Sequence, residues 1–243
     1  MRRFFAGDIT EGSTISRIMG DEFVHLKKVL RLTRGEEVAL FNGKGLELIG
    51  VIESIGRDNA EVKITRTVKE FRESSLNLKI LQGLLKSDKP ELIIQKATEL
   101  GAKEVSFFQT RRTVPVASGK GAKEKRWQRA AIEAAKQCGR VTLPEINLFN
   151  DLDTALAGRG SMLKLALWEE ERVTGLKEAL KGRDAKNGVV VLVGPEGGLS
   201  AEDIEKARQE GFLPVSMGPR VLRAETAAIA VLSVIQYELG DAG

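Results

Sequence analysis

The chain has 243 residues, of which 42% are hydrophobic and 30% are charged, and its formal net charge is +4. This composition predicts one large or two modest folded domains and excludes a disordered or fibrous chain. No apolar run reaches the length of a membrane span, and the single cysteine, Cys138, excludes an internal disulfide. We therefore expect a cytoplasmic protein with no membrane partner.

Short segments typical of β-strands dominate the first seventy residues. The segment EEVALFNGKG ends near Asn42-Gly43, a dipeptide that favours a tight hairpin, and LELIGVIESI and AEVKITRTV follow as strands. Upstream, EFVHLKKVLRL has a helical rhythm that places Phe23, Leu26, Val29 and Leu30 on one stripe. We predict a small barrel-like or sandwich domain that ends near the charged residues 69–75.

The rest of the chain alternates between strands and helices. The predicted strands are LNLKILQGLL, KEVSFFQ, SMLKLALWE, GVVVLVG and FLPVSMG. The predicted helices are SDKPELIIQKATELG, with Ser87 or Asp88 as its cap, KEKRWQRAAIEAAKQCG, RVTGLKEAL, SAEDIEKARQEG and AETAAIAVLSVIQYELG. Because the strands are almost continuously apolar, we predict an α/β domain whose parallel sheet is covered on both faces.

The charge is distributed unevenly along these elements. Residues 111–140 contain nine Lys/Arg and two Glu, whereas residues 141–243 contain 11 basic and 16 acidic residues. A basic segment beside a more acidic body predicts one surface that binds a polyanion such as RNA. An ordinary solvated helix surface is the alternative, and charge alone favours neither.

The loop in VLVGPEGGLS, residues 191–200, follows a predicted strand, and ligands of parallel sheets bind at such ends. It lacks the lysine of a phosphate-binding loop, and Ser200 with Asp203 forms a helix start that satisfies its own donors. A phosphate would also face Glu196 without a local cation. The loop therefore suits S-adenosylmethionine, which carries an adenosine and a sulfonium but no phosphate. A tight strand-to-helix turn without a ligand is the alternative.

A second strand end, SMGPRVLRAETA at residues 216–227, carries two arginines around an apolar pair. Arg220 and Arg223 are placed to meet RNA phosphate or negative charge that develops on a base. Val221 and Leu222 between them offer an apolar wall to a flat base. The alternative is that Glu225 merely stabilises a helix start beside two surface arginines.

These two loops, in this order, resemble the signature pair of the ribosomal RNA small subunit methyltransferase E family, a member of the SPOUT superfamily. The similarity extends over nearly the whole chain through RRFF, HLKKVLR, KPELIIQKATELGA, RWQRAAIEAAKQCGR and LPEI. The chain departs from the family pattern at Leu199, at Val221 and around Arg111 and Arg112.

The resemblance implies a PUA-like β-barrel that binds RNA at residues 1–72 and a SPOUT α/β domain with a deep trefoil knot at residues 73–243. It also implies a homodimer that uses S-adenosyl-L-methionine, without a metal. The implied reaction is methylation of N3 of a uridine near the decoding region of 16S rRNA, in the small ribosomal subunit.

The resemblance and the two loops together predict three sets of site residues. The predicted cofactor contacts are Leu167, Trp168, Val193, Gly194, Glu196, Gly197, Met217, Gly218, Val221, Leu222, Arg223, Ala224 and Thr226. The predicted RNA contacts are Arg2, Arg3, His25, Arg31, Arg111, Arg112, Arg126, Arg129 and Arg140, each with a packing or surface role as its alternative. The predicted catalytic residues are Glu225, Arg223 and Arg220.

Uridine N3 is a poor nucleophile until its imide proton leaves. A carboxylate that removes this proton and a cation that stabilises the resulting anion would both assist the reaction. Glu225 is our candidate base, with Glu196 as its rival, and Arg220 or Arg223 is the candidate cation. Other hypotheses are a ribose 2′-O-methyltransferase and an RNA-binding assembly factor without activity. A dinucleotide oxidoreductase is disfavoured because G-x-G-x-x-G is missing.

Overall fold

A computed structural model describes residues 1–69, 72–110 and 120–243 of the protein. The chain forms two compact units. The first unit comprises Met1–Glu73 and Ala135–Leu143, and the second comprises Ser74–Ala134 and Pro144–Gly243.

The first unit is built on a five-stranded sheet with the order β1-β3-β4-β5-β2. Its strands are β1 (Arg2–Phe5), β2 (Ile15–Met19), β3 (Glu37–Phe41), β4 (Glu47–Ile55) and β5 (Asn59–Thr67). β3, β4 and β5 form the antiparallel meander predicted from the sequence, and β2 adds antiparallel to β5. β1 pairs parallel to β3. The sequence did not predict this pairing, because a strand of four residues is too short to show a clear alternation of apolar and polar residues. The core of this unit lies around Phe4, Ile18, Leu40 and Ile52.

The predicted helix of the first unit is only partly α-helical. α1 spans Gly20–Val24 and passes into a π-helical turn at His25–Leu30, which ends where Arg31 adopts the left-handed conformation with φ of 53°. A π turn has more residues than an α turn, so it rotates later side chains away from the stripe. Leu26 is fully buried, as predicted, whereas Val29 is 65% exposed, and its predicted place on the buried stripe is wrong.

The second unit contains a six-stranded sheet in which every pairing is parallel, with the order β11-β9-β10-β6-β7-β8. Its strands are β6 (Leu78–Gly83), β7 (Glu104–Phe108), β8 (Glu145–Phe149), β9 (Leu163–Leu167), β10 (Val189–Val193) and β11 (Leu213–Val215). All residues of β7 and β10 are buried, as expected for a parallel sheet covered on both faces. The predicted α/β class is confirmed.

The helices are α2 (Lys89–Glu99), α3 (Lys120–Cys138), α4 (Leu152–Leu156), α5 (Leu176–Leu180), α6 (Ala201–Gln209) and α7 (Ala224–Leu239). Two details differ from prediction. Asp88 is the N-cap residue of α2, but neither it nor Ser87 is seen to cap the helix through its side chain. α5 begins later than predicted because the Glu171 carboxylate accepts hydrogen bonds from the backbone N–H groups of Val173 and Thr174, which holds these residues in a turn.

Candidate active site

The carboxyl ends of β9, β10 and β11 meet at one edge of the parallel sheet and line a cavity of about 340 Å³. Leu167 ends β9 and Trp168 follows it. Residues 194–200 (the GPEGG loop) follow β10, and residues 216–223 (the RVLR loop) follow β11. This edge is where open parallel sheets bind their ligands. The cavity volume lies in the range of small-molecule sites.

The GPEGG loop is held tightly against the end of β6. The Gln82 side chain donates a hydrogen bond to the Gly194 carbonyl at 2.8 Å, and Gly198 N–H donates to the Pro195 carbonyl at 2.9 Å. A Cβ atom at Gly83 would overlap Pro195, and one at Gly194 would lie 2.9 Å from the Gly198 carbonyl carbon. The glycines therefore permit a close backbone approach that shapes one wall of the cavity.

The predicted self-capped helix start at Ser200 is present. Ser200 Oγ accepts a hydrogen bond from Asp203 N–H at 3.2 Å, and Asp203 Oδ2 accepts one from Ser200 N–H at 2.9 Å. This capping box satisfies two donors at the start of α6. These two backbone donors are therefore unavailable to a phosphate, as expected from the sequence.

We expect Ser200→Ala to lower the free energy of unfolding by about 1 kcal/mol, because it removes one half of the capping box. Chemical denaturation of the whole protein measures this change. Ser161→Ala, at an exposed turn position, is the control. An equal effect of both substitutions would show that the capping box contributes nothing to stability.

The RVLR loop forms the opposite wall. Gly218 has φ of +102°, a conformation that L side chains rarely adopt, and its N–H donates to Ser216 Oγ at 3.2 Å. Leu222 is half-buried, whereas Val221 is 77% exposed between the exposed Arg220 and Arg223. The loop thus offers an apolar surface with a cation on each side of it.

Glu225 lies in the first turn of α7, and its side chain is 14% exposed. Its own backbone N–H lowers the pKa of the carboxyl group. Burial acts against this effect, while Lys89 and Arg223 add to it, and the pKa lies below its ordinary value. The Glu225 carboxyl group is therefore ionised at neutral pH and able to accept a proton.

Lys89 at the start of α2 also reaches the cavity. Its Nζ lies 3.3 Å from Glu225 Oε2 and 3.5 Å from Glu196 Oε1. Glu196 Oε1 also accepts a hydrogen bond from Lys86 N–H at 3.1 Å. Glu196 of the GPEGG loop and Glu225 of α7 are therefore partnered by the same lysine.

Two family models and several known proteins match this chain. A family model described as an RNA methyltransferase domain matches residues 72–236, and one described as an RNA methyltransferase PUA domain matches residues 18–65. The ribosomal RNA small subunit methyltransferase E of Bacillus subtilis is 31% identical over 249 residues, which cover 98% of this chain and 97% of that protein. The chain belongs to the ribosomal RNA small subunit methyltransferase E family. The resemblance inferred from the two loops is confirmed.

Solved structures support this assignment to the methyltransferase E family. A Neisseria gonorrhoeae family member bound to S-adenosyl methionine is 29% identical, with a TM-score of 0.89 over 99% of both chains. A Legionella pneumophila protein in complex with the cofactor SAM is 34% identical, with a TM-score of 0.88 over 98% of both chains. The predicted fold, an α/β parallel-sheet domain preceded by a PUA domain, is confirmed.

In this methyltransferase E family chain, the structure brings most of the predicted cofactor residues together. All of them line the cavity except Gly197 and Thr226. Further residues line it that were not among the predicted site residues, including Lys89, Glu169, Arg172, Gly198 and Leu199. A signal for Lys89 was available, because it is the first residue of the helix that follows β6, and the connection between them lies at the same edge of the sheet.

Two predicted RNA contacts of the first unit have internal partners. Arg3 forms an ion pair with Glu47 at 2.7 Å and donates to the carbonyls of Ala135 and Arg140. Arg140 is 2% exposed and forms an ion pair with Glu73 at 3.0 Å. These contacts argue that both arginines have structural roles rather than direct contacts with RNA. Arg2 and Arg31 are exposed, and His25 is half-buried, with its ring and that of Phe4 at an angle of 69°.

The remaining RNA candidates lie on or before α3. Arg126 forms an ion pair with Glu91 of α2, and Trp127 is buried against Phe107 with 4.6 Å between ring centroids. Trp127 therefore anchors the helix and is not available to stack on a base. Arg129 is exposed, while Arg111 and Arg112 lie outside the described residues.

The residues that line the cavity fit S-adenosylmethionine. Leu167, Val193, Leu199 and Leu222 provide apolar walls suited to an adenosine. The indole N–H of Trp168 is buried without a hydrogen-bond partner. The carboxylates in the lining suit the positive charges of the cofactor.

Within the described ranges, no group of three or more His, Cys, Asp or Glu residues could hold a metal ion. No helix in the same part of the chain is long and apolar enough to cross a membrane.

Proposed function

We propose that this protein methylates N3 of one uridine in the 16S rRNA of the small ribosomal subunit, near the decoding region, with S-adenosyl-L-methionine as the methyl donor. The observation that carries the proposal is the cavity at the carboxyl ends of β9, β10 and β11. It combines apolar walls with the Glu225 carboxylate and two exposed arginines. Membership in the methyltransferase E family supports the same reaction.

The cofactor would lie between the GPEGG and RVLR loops. Leu167, Leu199 and Leu222 would contact its apolar parts, and backbone groups at Gly194 and Met217 would orient it. Glu169 or Glu196 would face its positive charges. When bound, S-adenosylmethionine supplies an electrophilic methyl group.

The chain's own residues would prepare the uridine. Glu225 would accept the imide proton of N3, since its carboxyl group is ionised and lines the cavity. The negative charge left on the base, shared by N3, O2 and O4, would be stabilised by Arg220 or Arg223. Val221, exposed between these arginines, would pack on the flat base. Holding N3 in line with the methyl group would increase the rate further.

The proposal includes the features implied by family membership. These are RNA binding by the PUA domain, with the exposed Arg2 and Arg31 among its contacts, and a boundary between residues 72 and 73. A further RNA contact by the exposed Arg129 of α3, a deep trefoil knot and a homodimer are also included. The basic residues would hold phosphates, so we expect RNA affinity to fall as salt is raised.

Mass mapping of 16S rRNA from cells with and without this protein tests the proposal. We expect one uridine to lose a methyl group at N3 when the protein is absent and to regain it with the purified protein and S-adenosylmethionine. Methyl loss from a ribose O2′ would instead identify a ribose methyltransferase. No change in methylation, together with no binding of millimolar cofactor by calorimetry, would favour an assembly factor without activity.

A further inference from the structure

Lys89 is a charged side chain of the cavity that the reaction proposed above does not use. It is the first residue of α2, and its Nζ lies within 3.5 Å of two carboxylates, Glu196 in the GPEGG loop and Glu225 in the first turn of α7. The two glutamates are 29 positions apart in the chain and follow different strands. One cation therefore joins the two walls of the cavity.

Lys89 lies at the start of a helix that is packed into the second unit. α2 buries Ile93, Ile94 and Ala97, and it packs on α7, the helix that carries Glu225. The Lys89 side chain is 31% exposed, so it is partly removed from solvent where it meets the carboxylates. An ion pair in such a setting is less screened than one on an open surface.

Glu225 depends on this partner. Its Oε2 atom is shielded from solvent, and the charged groups that face it are Lys89 on α2 and Arg223 just before α7. Glu196 faces the same lysine from the GPEGG loop, where Lys86 N–H also binds it. Without Lys89, a partly buried carboxylate would lose its nearest cation, and its charged form would be less favoured.

We propose that Lys89 is a positioning residue that ties the GPEGG loop to the start of α7 and holds the Glu225 carboxylate oriented toward the uridine. This inference rests on the proposed function, since it assigns a task within the same reaction. Lys89 does not take the proton itself. It acts through Glu225.

Steady-state methylation of a 16S rRNA fragment by Lys89→Met and Lys89→Arg tests the role. For Lys89→Met we expect kcat to fall about tenfold and the KM for RNA to stay unchanged, because the defect lies in alignment and not in RNA binding. Lys89→Arg keeps the positive charge and should recover most of the rate. The acid limb of kcat should move to higher pH in Lys89→Met, since loss of the cation raises the pKa of Glu225.

Lys96→Met is the matched control. Lys96 lies on the same helix, is 35% exposed and forms an ion pair with Glu99 at 2.9 Å, outside the cavity. We expect its kcat and pH profile to equal those of the wild type. In a double-mutant cycle, Lys89→Met should add little to the loss caused by Glu225→Gln, because both act through one carboxylate.

Two outcomes would overturn the inference while leaving the proposed function in place. One is a wild-type rate and pH profile in Lys89→Met. The other is an equal loss of rate in Lys89→Met and Lys89→Arg, together with an equal loss of thermal stability in both variants. That result would show that Lys89 has only a structural role. If the wild-type protein transfers no methyl group to N3, the proposed function fails and the inference falls with it.

Discussion

Glu225→Gln is expected to lower kcat for uridine methylation about a hundredfold at pH 7, in line with the usual contribution of a general base. Glutamine keeps the size of the side chain but cannot accept the N3 proton. The pKa of Glu225 is lowered by its own backbone N–H and by Lys89 and Arg223, against the effect of burial. In the wild type the acid limb of kcat should therefore lie below the ordinary glutamate range, with no change from this group between pH 6 and 8.

The rate of Glu225→Gln, measured from about pH 3 to pH 9 on an rRNA fragment beside the wild type, should lack this acid limb. Glu202→Gln is the control, because Glu202 is an exposed acidic residue in the first turn of α6, as Glu225 is in the first turn of α7. A rate and profile of Glu225→Gln identical to the wild type would remove Glu225 as the base and leave Glu196 as the candidate.

Gly83→Ala should weaken the binding of S-adenosylmethionine at least tenfold, as measured by calorimetry. Gly83 ends β6, and a methyl group there would overlap the ring and nitrogen of Pro195. Because these are atoms of the GPEGG loop and not the end of a flexible side chain, the loop must move. We expect the free energy of unfolding to fall by about 1–3 kcal/mol, as for overpacked cores.

The matched control is Gly121→Ala on α3. Its Cβ atom would have open space around it, so neither cofactor affinity nor stability should fall. Unchanged cofactor affinity in Gly83→Ala would mean that the GPEGG loop can shift without a cost to the pocket, and that its contact with β6 does not shape the site.

The elements that the sequence predicted well have strong periodic or local signals. The apolar runs at 78–83 and 189–193 have the composition of buried parallel strands, and the structure places them side by side. Ser200 and Asp203 indicated a capping box because that motif depends only on residues three positions apart. The two loops could be assigned to one site because all parallel strands present their carboxyl ends at one edge.

Features that depend on distant partners were not predictable in the same way. Arg3 looks like a surface arginine in the sequence, and only the fold brings Glu47 and two carbonyl groups to it. Lys89 precedes a proline at a helix start, and its position between Glu196 and Glu225 depends on how three strands pair. Val29 shows that even a local pattern fails when the helix changes its winding from α to π.

The strand order of the second unit has a consequence for how the protein is made. β6 lies beside β10 in the middle of the sheet, although more than a hundred residues separate them in the chain, and β11 follows both of them in the chain. The ribosome must therefore synthesise the chain through β11 and the start of α7 before the cavity can close. Such long-range pairing is slow compared with local hairpins and helices. The ability to bind a ligand is thus acquired only after β11 and the start of α7 have left the exit tunnel.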